Sequence, residues 1–144
     1  MALVKGYRHT GIICKNITES LEFYRDFLGL TVIQDFWDDS EYINKITGIS
    51  GGNVHMIKLK ADDGTVLELL DYVSHPTDLI KQEVYNVGAG HIAFQVYDID
   101  LAYEDLLGKG VQFLSEPVLS SEGIAKVCFC FDPSDTRIEL VEML

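Results

Sequence analysis

The sequence predicts an α+β fold made of two βαβββ modules, and three observations support this prediction. The stretch that opens at His9 is repeated at His91, and an amphipathic run ending at glycine follows each of them. Each repeat closes with a similar strand, which carries Glu68 in the first half and Glu139 in the second. The strands alternate apolar and polar residues, as half-buried strands do. Internal repetition on this scale indicates a duplicated architecture.

The first module is predicted at residues 5–73. It opens with an alternating strand over residues 6–15, after which Asn16 or Thr18 can cap a helix. The helix carries a stripe of apolar residues and ends at Gly29, because glycine readily adopts the conformation that terminates a helix. Three further strands complete the module, at residues 30–36, 53–60 and 65–73.

The second module is predicted at residues 88–143 and repeats this order. A strand precedes a helix at residues 99–108, which Asp98 or Asp100 can cap. A linker at residues 74–87, with room for a short helix at 77–84, joins the modules into a single domain spanning residues 1–144. The strands of this module are predicted at residues 90–97, 111–115, 124–132 and 136–143.

Residues 34–53 of the first module are longer than a minimal connection and combine aromatic with acidic residues. Two interpretations stay open for this segment. It forms either a flap or pocket wall, or a surface loop that contains its own small apolar cluster.

Composition excludes several classes of function. The net charge of −12 argues against a nucleic-acid partner, whose phosphates would be repelled. No apolar stretch approaches the roughly 18 residues that span a bilayer, and the N-terminus lacks a signal-peptide core. We therefore expect a cytoplasmic protein. Cys14, Cys128 and Cys130 are an odd number of cysteines, which indicates buried free thiols in a reducing compartment.

Strand alternation places four polar residues on the sheet face away from the helices. Apolar neighbours flank each of these residues and point to the opposite face. The residues are His9, Glu68, His91 and Glu139. Imidazole and carboxylate groups suit a divalent ion such as Zn, Ni, Co, Mn or Fe. The sequence therefore predicts one divalent metal ion per site, with these four residues as ligands.

Four motifs in combination resemble the vicinal oxygen chelate superfamily. They are HTGI at residues 9–12, SLEFY at 20–24, GHIAF at 90–94 and RIELVE at 137–142. This superfamily includes glyoxalase I, methylmalonyl-CoA epimerase, extradiol dioxygenases, fosfomycin-resistance proteins and bleomycin-binding proteins. The resemblance implies two βαβββ modules that form a cupped mixed sheet, with helices on the outer face and a divalent metal within. It also implies a homodimer, in which the site is built either within one chain or across two.

Among these families, the pattern is most similar to glyoxalase I of bacterial type, whose ligand order His, Glu, His, Glu maps onto His9, Glu68, His91 and Glu139. The resemblance implies a metal-dependent isomerase or lyase that chelates vicinal oxygens of a small substrate and shuttles a proton through an enediolate. Glu139 and Glu68 would be the catalytic carboxylates, with Glu139 favoured as the base.

The resemblance does not extend to the residues that would grip glutathione. Ile13 stands where glyoxalase I would have arginine, and Tyr72 stands where it would have asparagine. The substrate is therefore expected to be another small molecule with adjacent oxygens. Two alternatives stay open: an enzyme similar to methylmalonyl-CoA epimerase, and a non-catalytic binding protein of the bleomycin-resistance type.

Overall fold

A computed structural model describes all 144 residues of the chain. The chain divides into two compact units, Met1–Asp78 and Leu79–Leu144. Each unit is built on one four-stranded sheet. Each sheet contains one parallel and two antiparallel strand pairs, which confirms the predicted α+β class with mixed sheets.

In the first unit, the sheet has the strand order β1-β4-β3-β2. Strand β1 runs parallel to β4, while β3 pairs antiparallel with both β4 and β2. The elements are β1 (Thr10–Ile13), α1 (Ile17–Leu21), a π-helix (Glu22–Phe27), β2 (Thr31–Asp38), α2 (Glu41–Thr47), β3 (Val54–Lys60) and β4 (Val66–Asp71). The predicted cap is confirmed, because Asn16 Oδ1 accepts hydrogen bonds from the backbone N–H groups of Thr18 and Glu19.

In the second unit, the sheet has the equivalent order β5-β8-β7-β6. Strand β5 runs parallel to β8, and the other two pairs are antiparallel. The elements are β5 (His91–Gln95), α3 (Ile99–Gly108), β6 (Val118–Leu119), β7 (Ala125–Phe131) and β8 (Arg137–Met143). Asp98 caps α3 by accepting a hydrogen bond from the Leu101 N–H.

Two local predictions were wrong. Residues 111–115 form no strand: Phe113 makes only an isolated bridge to Cys130, and the short strand β6 pairs with β7 instead. Residues 77–84 form no helix, and Ile80 and Val84 are exposed. A helix this short needs a surface on which to bury its apolar side, and these side chains have none.

The segment 34–53 is largely ordered into secondary structure. Residues 31–38 form β2, and α2 follows directly, ending at Gly48 with a left-handed φ of 76°. Ile43 of α2 is buried against Val54 and Met56 of β3. The segment is therefore a strand and a packed helix, and neither sequence interpretation anticipated the helix.

One face of each sheet is an apolar core. In the first unit α1 contacts β4, whose Leu67 and Leu69 are buried. In the second unit α3 contacts β8, whose Ile138 and Leu140 are fully buried. Because side chains alternate along a strand, the residues between these leucines and isoleucines point to the opposite face. Glu68 and Glu139 occupy those positions.

The three cysteines are free and buried, as predicted. Burial raises the pKa of Cys128 to about 11, and burial together with the neighbouring Cys128 and Asp132 raises the pKa of Cys130 to about 12. Both thiols therefore stay protonated and unreactive at neutral pH. No helix is both long enough and apolar enough to cross a membrane.

Candidate functional site

His9 and Glu68 lie side by side in the first unit. The parallel register of β1 and β4 pairs Gly11 with Glu68, so that His9, two residues earlier, lies on the same face. His9 Nε2 is 3.7 Å from Glu68 Oε1, and the Glu68 side chain is only 12% exposed. The topology thus brings the first predicted His–Glu pair together.

Lys58 shares the carboxylate of Glu68. Strand β3 pairs Lys58 directly with Glu68, and its Nζ lies 3.5 Å from Glu68 Oε2. The Lys58 side chain is 18% exposed, so this ion pair is largely shielded from water. A shielded carboxylate loses hydration, and the two neighbouring groups offset part of that loss.

His91 and Glu139 form the equivalent pair in the second unit. The parallel register of β5 and β8 pairs His91 with Arg137 and Ala93 with Glu139, which puts His91 and Glu139 on one face. His91 Nε2 is 2.9 Å from Glu139 Oε2. The ring of Phe129 meets the His91 imidazole edge to face, with centroids 5.2 Å apart. This pair is the more open of the two, with 46% of the His91 side chain exposed.

An apolar cluster lies on the same sheet face as Glu68. Met56 pairs with Leu70, which follows Glu68 by two residues, and both pack in the cluster that contains Ile43 of α2. Tyr72 also packs against this cluster. Ile13, on the same face of β1, is 58% exposed. Apolar and aromatic groups thus occupy the positions where glyoxalase I would carry its glutathione-binding arginine and asparagine.

His55 lies on the opposite face from Glu68. Its register partner is Asp71, and Ile57 and Leu59 share its face. Nε2 of His55 is 2.6 Å from Asp35 Oδ1, and the ring stacks on Trp37 with centroids 4.4 Å apart. His55 thus has two partners of its own.

The donor set of the two pairs has the right chemistry for a divalent ion. Each pair offers one imidazole nitrogen and one carboxylate, and in each the two groups approach one another on one sheet face. No group of three or more His, Cys, Asp or Glu side chains is arranged so that it could hold a metal ion. The structure therefore assembles the predicted ligands as two pairs, and each pair alone supplies fewer ligands than a metal ion needs.

Lys58 and Arg137 were missed as candidate site residues. Both share a face with a predicted ligand, and the period of two along a strand was a signal for Arg137, which precedes Glu139 by two residues. Lys58 could have been found only from the pairing of β3 with β4, because no local sequence spacing links it to Glu68.

Residues 6–140 match the sequence profile of the glyoxalase/bleomycin resistance protein/dioxygenase superfamily. The chain belongs to this superfamily. The match spans both repeats.

Similar proteins are known at low identity. The uncharacterized protein YwkD of Bacillus subtilis is 28% identical over 97% of this chain and 98% of its own length. A probable lactoylglutathione lyase of Synechocystis is also 28% identical, over 93% of this chain and 92% of its own length. A lactoylglutathione lyase of Neisseria meningitidis is 26% identical over 93% of this chain and 88% of its own length.

Solved structures share this fold. A glyoxalase family protein from Bacillus cereus superimposes with a TM-score of 0.89, at 24% identity, over 100% of this chain and 99% of that one. The fosfomycin resistance protein FosX of Listeria monocytogenes, solved with Mn(II) and sulfate, superimposes with a TM-score of 0.65, at 17% identity, over 99% of this chain and 97% of that one.

Proposed function

We propose that this protein is a metal-dependent isomerase or lyase of the glyoxalase I type, with His9, Glu68, His91 and Glu139 as metal ligands. The observation that carries the proposal is the repeated His–Glu contact, at 3.7 Å in the first unit and 2.9 Å in the second. Relatives named lactoylglutathione lyase support the same class.

A divalent ion held by these residues would act as a Lewis acid toward adjacent substrate oxygens and acidify the neighbouring carbon. The side chains of the protein then perform the proton transfer. Glu139 is the proposed base, because His91 is its only ion-pair partner and no lysine contacts it. Glu68 is held by the permanent cation of Lys58 as well, which favours a fixed carboxylate over a mobile one.

The proposed substrate is a small molecule with adjacent oxygens, other than a glutathione adduct. Ile13 and Tyr72 replace the polar groups that would bind glutathione in glyoxalase I. The exposed side chain of Ile13 cannot form an ion pair with a carboxylate. Phe36, Leu70 and Tyr72, which are partly buried at the margin of the cluster around Ile43, offer contact to a hydrophobic portion of a substrate instead.

Metal loading is the first test of this proposal. Protein stripped with a chelator would be titrated with Ni, Co, Zn and Mn by calorimetry, and we expect saturable binding of one ion per site. His91→Ala and Glu139→Ala should each weaken the binding by about tenfold or more, since one ligand is lost. His75→Ala is the matched control, because His75 is exposed and its ring contacts only Ser74. Absence of stoichiometric binding would overturn the metalloenzyme proposal and favour a binding protein.

Proton transfer is the second test. Metal-loaded protein would be incubated in D₂O with methylglyoxal hemithioacetals of glutathione and of smaller thiols, and with acyl-CoA thioesters. We expect deuterium at the carbon beside the carbonyl, with a preference for a smaller hemithioacetal. Glu139→Gln should reduce the exchange rate by about 10²–10⁴-fold. Exchange confined to the acyl-CoA thioesters would identify an epimerase instead.

We further propose a cytoplasmic homodimer. The three free cysteines suit a reducing compartment. Superfamily resemblance is the basis for the dimer, and it leaves open whether one chain or two supply the four ligands. Light scattering at several concentrations, with and without metal, measures the assembly.

A further inference from the structure

Arg137 lies on the sheet face that carries the second His–Glu pair. It precedes Glu139 by two residues in β8, and the register pairs it directly with His91 of β5. A permanent cation therefore stands beside both residues of the pair. Phe131 and Phe129, which pair with Arg137 and Glu139 from β7, flank them with half-buried aromatic rings.

The guanidinium of Arg137 is held in place by neutral groups. Its Nη2 donates a hydrogen bond to the backbone carbonyl of Gln82 at 2.9 Å, and its carbon lies 5.5 Å from the centre of the Phe131 ring. The Gln82 carbonyl is its only hydrogen-bond acceptor, and the buried Nε–H has no acceptor. An arginine fixed by a carbonyl and an aromatic ring keeps its full charge and most of its donors available.

Four other cations of this acidic chain lie within ion-pair distance of carboxylates, and two of them are representative. Arg25 pairs with Asp26, and Lys126 pairs with Asp100. Arg137 has no carboxylate within ion-pair distance, although 23 residues of the sequence are acidic. The nearest candidate along its strand, Glu139, is instead engaged with His91. The face therefore presents an unneutralised guanidinium in a protein whose net charge would otherwise repel anions.

We propose that Arg137 binds an anionic group of the substrate. The substrate is then a small molecule that carries either a carboxylate or a phosphate group in addition to its two adjacent oxygens. The inference rests on the proposed function for the chemistry at His91 and Glu139. A planar guanidinium suits either anion, because its N–H groups match two oxygens at once. The aromatic rings of Phe129 and Phe131 provide an apolar surface for the carbon portion of such a molecule.

Anion binding can be tested on the metal-free protein. Inorganic phosphate and acetate would each be titrated while the Arg137 Nε–H resonance and the backbone amides of β8 are followed by NMR. We expect saturable shifts with a dissociation constant of about 1–10 mM. Binding of phosphate alone would assign a phosphorylated substrate, and binding of acetate, with or without phosphate, would assign a carboxylate group.

Two variants and one control separate specific binding from general attraction. Arg137→Gln should weaken the binding about tenfold, and Arg137→Lys should weaken it less, since the charge is kept while the two-pronged geometry is lost. Arg25→Gln is the control, because Arg25 is already paired, and it should bind like the wild type. The proposal is overturned if the wild type shows no saturable shift of Arg137, or if Arg137→Gln binds both anions normally. If Arg137→Gln fails to fold, the shift of the Arg137 Nε–H resonance in the wild type still tests the proposal.

Failure of this inference is distinguishable from failure of the proposed function. Because the titration uses no metal, anion binding at Arg137 without any metal binding would overturn only the metalloenzyme proposal. Metal binding without any anion effect at Arg137 would overturn only the anionic substrate. For an active metal-loaded enzyme, Arg137→Gln should raise KM for anionic substrates and leave KM for neutral analogues unchanged.

Discussion

The carboxylate of Glu68 lies between two basic side chains: Lys58 Nζ is 3.5 Å from Oε2, and His9 Nε2 is 3.7 Å from Oε1. The equivalent carboxylate of Glu139 contacts His91 but no lysine. The two repeats are therefore unequal in charge. A divalent ion that binds Glu68 must do so beside an ammonium group, and this opposes its binding.

Lys58 is expected to stabilise the metal-free protein and to oppose metal binding, and its replacement should separate these two effects. In Lys58→Met, the shielded Glu68 loses its permanent cation, and the free energy of unfolding of the metal-free protein should fall by about 1–3 kcal/mol. The bound ion should then raise the unfolding temperature more than it does in the wild type, because the competing ammonium is gone.

Thermal unfolding with and without Zn or Ni measures both effects. Lys60→Met is the matched control, since Lys60 lies in the same strand and is exposed. It should leave both values unchanged. An identical metal-induced rise in Lys58→Met and in the wild type would show that the ammonium does not oppose metal binding.

Replacement of His55 should leave metal binding intact. His55 is on the face opposite Glu68, where it contacts Asp35 and stacks on Trp37. His55→Ala should lower the free energy of unfolding by about 1–2 kcal/mol, because a hydrogen bond to a carboxylate and a stacking contact are lost. The emission of Trp37, the single tryptophan, should change as well. Metal affinity more than threefold below the wild type would contradict the assignment of His55 to this face.

Addition of one methyl group at Gly52 should disturb α2. A Cβ at Gly52 would lie 2.9 Å from Ile49 Cδ1, 3.0 Å from Asn44 Oδ1 and 3.1 Å from Ile43 Cγ2. The Gly52 N–H also donates a hydrogen bond to Asn44 Oδ1 at 2.8 Å, which resists any shift of that side chain. Gly52→Ala should therefore cost about 1–3 kcal/mol in urea denaturation.

The control for this substitution is Gly6→Ala, where no atom lies within 4 Å of the added methyl. It should change the stability by less than about 0.5 kcal/mol. Equal midpoints for the two variants would mean that the neighbours of Gly52 relax freely.

The cysteines should resist modification until the protein unfolds. Burial raises the pKa of Cys128 and Cys130 to about 11 and about 12, from an ordinary value of 9.0. The folded state therefore favours the protonated thiols, and this contribution to stability is complete below pH 9. It should fall as the pH rises from about 9 toward 12, where the unfolded chain ionises first.

Ellman's reagent at pH 8 should thus react slowly with native protein and rapidly with all three thiols in urea. Urea midpoints measured from pH 8 to pH 10.5 should decrease. Fast labelling of Cys130 in the native state would show that its strand opens readily.

The strand pattern carried most of the information that the sequence holds about this fold. Alternation placed Glu68 and Glu139 opposite the buried leucines and isoleucines, and the registers of β4 and β8 have them there. Alternation depends only on neighbouring residues within one strand, so the face of a side chain can be predicted without knowing which strands pair. Pairing between strands is not local, and for this reason Lys58 beside Glu68 went unpredicted.

The local errors have a physical origin in packing. Residues 77–84 contain good helix formers, but the exposed Ile80 and Val84 have no surface to cover. Residues 41–47 are just as short, yet they form α2 because Ile43 is buried on β3. Helix propensity alone could not separate these two segments, and the deciding contacts are tertiary.

The parallel pairing of β1 with β4, and of β5 with β8, has a consequence for when the site can exist during folding. His9 directly precedes β1 and His91 begins β5, which are the first strands of the two units. Glu68 and Glu139 lie in β4 and β8, which are the last strands. Neither pair is present in any hairpin of consecutive strands, so each pair forms only when the first and last strands of its unit have paired. Metal binding that uses these pairs would therefore favour states in which the first and last strands of a unit have paired.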